Sequence, residues 1–128
     1  MDPHTLFAQV AQHSPPFASV LQEHLAVNEE LLPHVLMSDL VRFVGAYFER
    51  DGSPAPATLQ ELQAVLALLD EALSGGNAEA TNAIGISFIE YLETEPFFTK
   101  LEPYLGPALR HELTALQEHS RQGRPSPP

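Results

Sequence analysis

Six histidines are the residues of this sequence with the widest chemical range, because an imidazole binds metal ions and transfers protons near neutral pH. No two of them are four residues apart, the spacing that puts two ligands on one face of a helix. His111-Glu112 begins a zinc-protease pattern, but Ala115 stands where its second histidine belongs. The sequence, which also lacks cysteine, predicts no metal ligands and no cofactor. The histidines are His4, His13, His24, His34, His111 and His119.

Nucleophilic and acid–base chemistry would depend on one serine and on a group of carboxylates. Ser87 follows an apolar run without the strand–turn–helix elbow that presents a catalytic serine, so we expect its hydroxyl to bond back to the preceding turn. Acid–base catalysis needs carboxylates in different environments, and Glu90, Glu93 and Glu95 are merely close in sequence. We therefore predict no catalytic residue. A metal-dependent or acid–base enzyme that uses the scattered histidines and the 90–95 carboxylates is the alternative.

A helix predicted over residues 78–93 carries these groups and is the centre of the predicted fold. At about 100° per residue, its apolar face collects Thr81, Ile84, Phe88, Tyr91 and Leu92. The opposite face carries Glu79, Asn82, Glu90 and Glu93, with Ile86 and Ile89 among them. These two isoleucines are either core residues under another helix or an apolar spot surrounded by carboxylates. Gly85 is expected to let a neighbouring backbone come close.

The preceding helix is predicted over residues 58–74. Thr58 and Glu61 form a capping box, and a leucine-rich stripe follows at helical spacing. Gly75-Gly76 ends this helix and Asn77 caps the next one, so the connection is short. Helices joined so closely pack antiparallel. We therefore expect a hairpin of 58–74 and 78–93, in which the first helix covers the apolar face of the second.

The other segments also read as helices, connected by proline-rich turns. Short helices are expected over residues 4–12 and, with Ser14 as N-cap, from Pro15-Pro16 to about Asn28. Leu32 precedes a proline, so residues 31–37 are predicted as a turn or a short helical piece, with a fresh helix starting at Ser38 or Asp39.

After a loop at 53–56 and the central hairpin, the phenylalanines of 97–101 are expected to close one end of the bundle, and Pro107 to begin the last helix. No stretch alternates as a strand does. The fold class is a single-domain all-α helical bundle of five to seven helices over residues 1–120, followed by a disordered proline-rich tail, 121–128.

The charge distribution limits the classes of partner. The 128 residues include 17 acidic and 6 basic ones, for a net charge of −11, and no Lys or Arg lies between Asp51 and Thr99. Nucleic-acid binding needs a basic surface, so this class is excluded. The acidity favours a basic protein partner, or it serves solubility alone. Without a signal-like N-terminus or an apolar run long enough for a membrane span, the sequence predicts a cytoplasmic protein that binds no membrane.

Two strings of residues give the chain a resemblance to a known group of proteins. They are Glu30-Leu31-Leu32-Pro33 through Ser38-Asp39-Leu40-Val41-Arg42-Phe43, and Gly85-Ile86-Ser87-Phe88-Ile89-Glu90-Tyr91-Leu92. The chain resembles, over about residues 29–116, small acidic helical bacterial proteins of uncharacterised function, some of which are thought to be immunity proteins encoded beside polymorphic toxins. The resemblance implies an inhibitor or binding protein without catalytic residues.

The leading functional prediction is therefore a non-enzymatic protein-binding module, an immunity-type neutraliser of a basic partner such as a toxin domain. A helical housekeeping module without a specific partner is a further alternative. The oligomeric state stays open. The residues predicted to bind the partner are Asp70, Glu71, Asn82, Ile86, Ile89, Glu90, Glu93 and Glu95.

Overall fold

Short polar side chains and prolines mark the helix starts in the computed structural model, which describes residues 1–49 and 58–123. α1 (Pro3–His13) begins behind Asp2, whose Oδ1 accepts the Thr5 backbone N–H at 2.8 Å. That hydrogen bond lowers the pKa of the Asp2 carboxyl below its usual value. α2 (Pro15–Asn28) starts with two prolines, as predicted. Ser14 precedes it without a side-chain cap hydrogen bond, and its hydroxyl donates to Glu61 Oε2 at 3.4 Å.

The segment before α3 (Pro33–Glu49) differs from its prediction. The fresh start expected at Ser38 or Asp39 is wrong, because the helix already begins at Pro33. A proline in the first turn has no N–H to lose from the helix, so it initiates the helix instead of breaking it. Ser38 lies inside α3, and its hydroxyl donates to the His34 carbonyl at 3.1 Å. The loop predicted at 53–56 lies outside the described residues.

The predicted hairpin is present as α4 (Leu59–Ser74) and α5 (Ala78–Ala83). Thr58 Oγ1 accepts the Glu61 backbone N–H at 3.1 Å, which confirms the predicted start of α4. Asn77 Oδ1 accepts the Ala80 backbone N–H at 3.0 Å and so begins α5. Gly76 turns the chain between them at a φ of +79°, a conformation that glycine adopts without strain.

The central helix, residues 78–94, consists of α5, a π-helical segment (Ile84–Ile89) and α6 (Glu90–Thr94). The π-helical segment packs mainly against α3, and also against α8 (Pro107–Gly123). α4 contacts the central helix through α5 and packs against α1 and α8. The expectation that α4 covers the Ile84–Phe88 face is therefore wrong, since α4 packs against α1 and α8, and that face packs against α3 and α8.

The connection between the central helix and α8 closes one end of the bundle. It contains α7 (Phe98–Leu101) and a 3₁₀ turn (Glu102–Tyr104). The Phe97 ring is buried against Gly45 of α3, so closely that any β-carbon there would overlap it, and it stacks on Phe48 with ring centroids 6.3 Å apart. This confirms the predicted closure by phenylalanine. α8 includes residues 121–123 of the predicted tail, and the rest of that tail, 124–128, lies outside the described residues.

One apolar core joins the helices, and the described residues contain no strand, so the fold is an all-α, single-domain bundle. The buried side chains come from every α-helix of the described residues. Among the fully buried side chains are Phe7, Phe17, Leu36, Leu40, Leu69, Ile84, Phe88 and Leu109.

Phe88→Ala should cost on the order of 3–5 kcal/mol of unfolding free energy, because Phe88 is 0% exposed and its removal leaves a large cavity. Chemical denaturation of both proteins measures the difference. Glu118→Ala, at an exposed position of α8, should change stability by less than about 0.5 kcal/mol and serves as the control. A loss below about 1 kcal/mol for Phe88→Ala would contradict the core position of this ring.

Candidate partner-binding site

The π-helical segment separates Ile86 from Ile89, which the sequence places on one face. Hydrogen bonds in a π-helix join residues five apart, so Ile89 lies above Ile84 and both enter the core. Ile89 is 1% exposed, whereas Ile86 is 50% exposed. The prediction that Ile89 binds the partner is therefore wrong, because Ile89 is a core residue. Ile86 is at the surface. Tyr91 is exposed, contrary to prediction, whereas Leu92 is buried as predicted.

One groove of about 560 Å³ lies between Ile86 and the start of α3; we call it the His34 groove. Ile86 and Tyr91 give it apolar surface, and Glu90 gives it a negative charge. His34 comes from α3, so α3 must pack on the central helix for the groove to exist. Its lining residues are His34, Ile86, Ser87, Glu90, Tyr91 and Thr94.

A hydrogen bond between two lining residues of this groove joins α3 to the central helix. His34 Nδ1 and Ser87 Oγ are 2.6 Å apart. The expected bond from the Ser87 hydroxyl to the preceding turn is therefore replaced by one to α3. When the ring proton is on Nε2, the Ser87 hydroxyl donates to Nδ1, and the pair is within the distance at which a base removes a proton from a nucleophile.

A second groove of about 340 Å³ lies on the other side of Ile86, towards α8; we call it the Glu112 groove. Ile86 and Glu90 line both grooves, so Ile86 forms a ridge with a carboxylate beside it. The space above Gly85 is open, because the closest atom to a β-carbon there would be Glu112 Oε2 at 3.8 Å. No backbone approaches this glycine, contrary to expectation. The lining residues are Thr81, Asn82, Gly85, Ile86, Glu90, Glu112, Ala115 and Leu116.

The part of the chain that contains both grooves matches the model of a known protein family. Residues 7–120 match the family model described as Domain of unknown function (DUF7674). The chain belongs to that family. No curated protein and no solved structure matches the chain.

Three of the predicted partner-binding residues, Asn82, Ile86 and Glu90, line the grooves. Glu71 is exposed on α4, Glu93 is exposed on α6, and Glu95 follows α6; none of them lines either groove. Sequence reasoning missed the groove residues that other faces or other helices contribute. These are His34, Thr81, Gly85, Ser87, Tyr91, Thr94, Glu112, Ala115 and Leu116, and no local pattern connects those of α3 or α8 with the central helix.

Asp70, another predicted partner-binding residue, has a structural contact instead. Its Oδ1 accepts the Leu109 backbone N–H at 2.9 Å, in the first turn of α8. Gly106 precedes α8 and has no side chain to cap it, and a β-carbon there would lie 2.6 Å from Asp70 Oδ1. The Asp70 carboxylate of α4 thus replaces the missing local cap, and the missing side chain gives it room.

Within the part of the chain that the structure describes, no three His, Cys, Asp or Glu side chains are placed to hold a metal ion. No helix in the same residues has both the length and the apolar content needed to cross a membrane.

Asp70→Ala should lower the unfolding free energy by about 1–2 kcal/mol, because it leaves the Leu109 N–H without its acceptor. Asp70→Asn keeps an oxygen acceptor and loses only the favourable charge at the helix start, so it should cost less. Equilibrium denaturation compares them, with Glu71→Ala as the exposed neighbour that changes little. Equal stability of wild type and Asp70→Ala would show that this cap contributes nothing.

Proposed function

We propose that the protein is a non-enzymatic binding module that neutralises a basic protein, in the manner of an immunity protein and its toxin. The observation that carries the proposal is the half-exposed Ile86 ridge between two grooves that share Glu90. An apolar centre with carboxylates beside it suits a partner with an apolar anchor and a basic rim.

The charge around the ridge supports a basic partner. Glu90 borders both grooves, and Glu112 adds a second carboxylate on the α8 side. No Lys or Arg lines either groove. The chain as a whole has a net charge of −11, so its field attracts a basic protein before contact.

The shape of the surface supports an apolar anchor. Ile86 and the exposed Tyr91 ring lie beside the His34 groove, and Leu116 provides apolar surface in the Glu112 groove. Side chains from a partner would enter the two grooves and enclose Ile86 between them. Water exclusion over such a centre slows dissociation, whereas the charged rim acts mainly on the rate of association.

Gene neighbourhood supplies the candidate partner, a basic toxin-like protein encoded next to this gene, and binding kinetics with that protein test the proposal. Ile86→Ala should raise the dissociation rate about tenfold, since buried apolar contact is lost. Glu90→Gln should instead slow association about threefold and flatten its salt dependence, because exposed charges act across a Debye length of about 8 Å at physiological salt. Stopped-flow measurements at low and physiological salt give both rates.

Glu118→Gln is the matched control, because it removes the same charge from an exposed position outside both grooves. A thermal melt of each variant ensures that only folded proteins are compared. Association that ignores salt would mean that the acidity serves solubility alone. Normal dissociation of the Ile86→Ala variant would place the interface elsewhere.

The 2.6 Å contact between His34 and Ser87 favours a second candidate, acyl transfer in the His34 groove. Ser87 Oγ would attack an ester carbonyl while its proton passes to His34 Nδ1, and His34 would return that proton to the departing alcohol. Water, activated by the same ring, would then attack the acyl-serine, releasing the carboxylic acid and restoring the hydroxyl. π-helical segments occur often at functional sites, which is consistent with this placement.

Hydrolysis of p-nitrophenyl acetate tests this candidate. The wild type should release p-nitrophenol faster than the Ser87→Ala variant, in which the nucleophile is gone and only the background hydrolysis by the histidines remains. Ser74→Ala is the control, because it removes a serine hydroxyl from α4 that donates to the Asp70 carbonyl. Mass spectrometry should detect acetylated Ser87. A rate that is the same in the wild type and in the Ser87→Ala variant would exclude this candidate.

A further inference from the structure

A third groove, of about 460 Å³, lies between α2 and α3, apart from the Ile86 ridge; we call it the α2–α3 groove. Val27 of α2 borders it and is 74% exposed, more than any other large apolar side chain of the described residues. Val35 of α3 is also exposed. Further apolar lining comes from Val20 and Phe43. Exposed apolar side chains that line one groove indicate an interaction surface.

The two rims of this groove carry different sets of charged side chains. Glu23 lies on the α2 rim, and Arg42 and Asp39 lie on the α3 rim. Arg42 forms an ion pair with Asp39, and its side chain is still 70% exposed. A guanidinium has five N–H donors, so Arg42 keeps donors for a second carboxylate.

We propose that the α2–α3 groove binds a second copy of this chain, related to the first by a two-fold axis. In such an interface each residue that contacts another is contacted by it in return. When that axis runs parallel to the groove, the α2 rim of one copy lies against the α3 rim of the other. Glu23 then faces Arg42 of the second copy, twice in each dimer, and the two Val27 side chains cover each other's groove.

The charges of the groove favour a second copy over the basic protein proposed for the Ile86 ridge. The ridge has carboxylates and neither lysine nor arginine, so it does not complement itself. The α2–α3 groove holds both signs, with Glu23 on α2 and, on α3, the exposed Arg42 beside its ion-pair partner Asp39. A surface with this arrangement complements itself when it is turned by a half rotation.

The groove is held in shape before any association. His24 is buried at its floor, and Nε2 of its ring accepts the Leu32 backbone N–H at 3.0 Å. Asn28 Nδ2 donates to the His24 carbonyl at 2.9 Å. The second bond stabilises the last turn of α2, and the first fixes that turn relative to the start of α3, so a second copy meets a preformed surface and little ordering opposes binding.

Sedimentation velocity of the full chain, over protein concentrations up to the millimolar range, tests the proposal. Two copies of net charge −11 repel each other, so the dimer should strengthen between low and physiological salt, as the Debye length falls from about 30 to about 8 Å. Val27→Gln should raise the dissociation constant of the dimer at least about tenfold, because two copies of the side chain leave the interface. Ile86→Gln, on the other surface, is the control that should leave it unchanged.

Charge reversal identifies the pairing itself. Glu23→Arg and Arg42→Glu should each weaken the dimer, since like charges then face each other twice. An equimolar mixture of the two variants should form a heterodimer of wild-type strength, because each Glu23–Arg42 contact then joins opposite charges. One substitution removes two negative charges and the other adds two, so long-range repulsion within the mixture stays close to that of the wild type.

A chain that stays monomeric at every concentration and at both salt levels would overturn the proposal. A dimer that persists in the Val27→Gln variant, or a mixture that fails to restore association, would overturn it as well. A basic protein that binds at Val27 and not at Ile86 would show a different occupant of the groove. None of these outcomes depends on whether the Ile86 ridge binds its own partner.

Discussion

The five-residue spacing of the hydrogen bonds between Ile84 and Ile89 determines which side chains of the central helix enter the core. Ile84, Phe88 and Ile89 become buried together against α3 and α8, and Ile86 is left as a ridge at the surface. Regular α-helical winding would place Ile86 and Ile89 at similar depth. The packing of the core and the candidate binding surface are therefore two consequences of one local change in winding.

The two candidate interaction surfaces, around Ile86 and in the α2–α3 groove, differ in the charges beside their apolar side chains. The surface around Ile86 has only carboxylates among its charged residues, apart from the ionisable His34, and the α2–α3 groove has both signs. Surface charges of one sign attract an opposite partner over long distances, whereas paired signs fix a register at short distance. The two surfaces are thereby suited to different partners, although both are built from exposed apolar side chains.

Polar contacts between helices set the positions of several elements. α8 depends on Asp70 of α4 for an acceptor, because Gly106 has no side chain to provide one. His24 holds the connection from α2 to α3 through the Leu32 N–H. Buried polar groups need partners, so each of these bonds restricts how the helices can pack. The residues involved look like surface residues in the sequence, and their partners are far away along the chain or across a turn.

The sequence by itself determined the all-α class, the hairpin of α4 and α5, most helix starts and the acidic character, because capping residues and helical periodicity act over a few neighbouring positions. It also placed Asn82, Ile86 and Glu90 at the candidate site. Only the tertiary structure decided that Ile89 is core and Ile86 surface, that Asp70 caps another helix, and that His34 meets Ser87. These outcomes depend on which helices touch and on one irregular turn, and neither is encoded in the spacing of residues along a single helix.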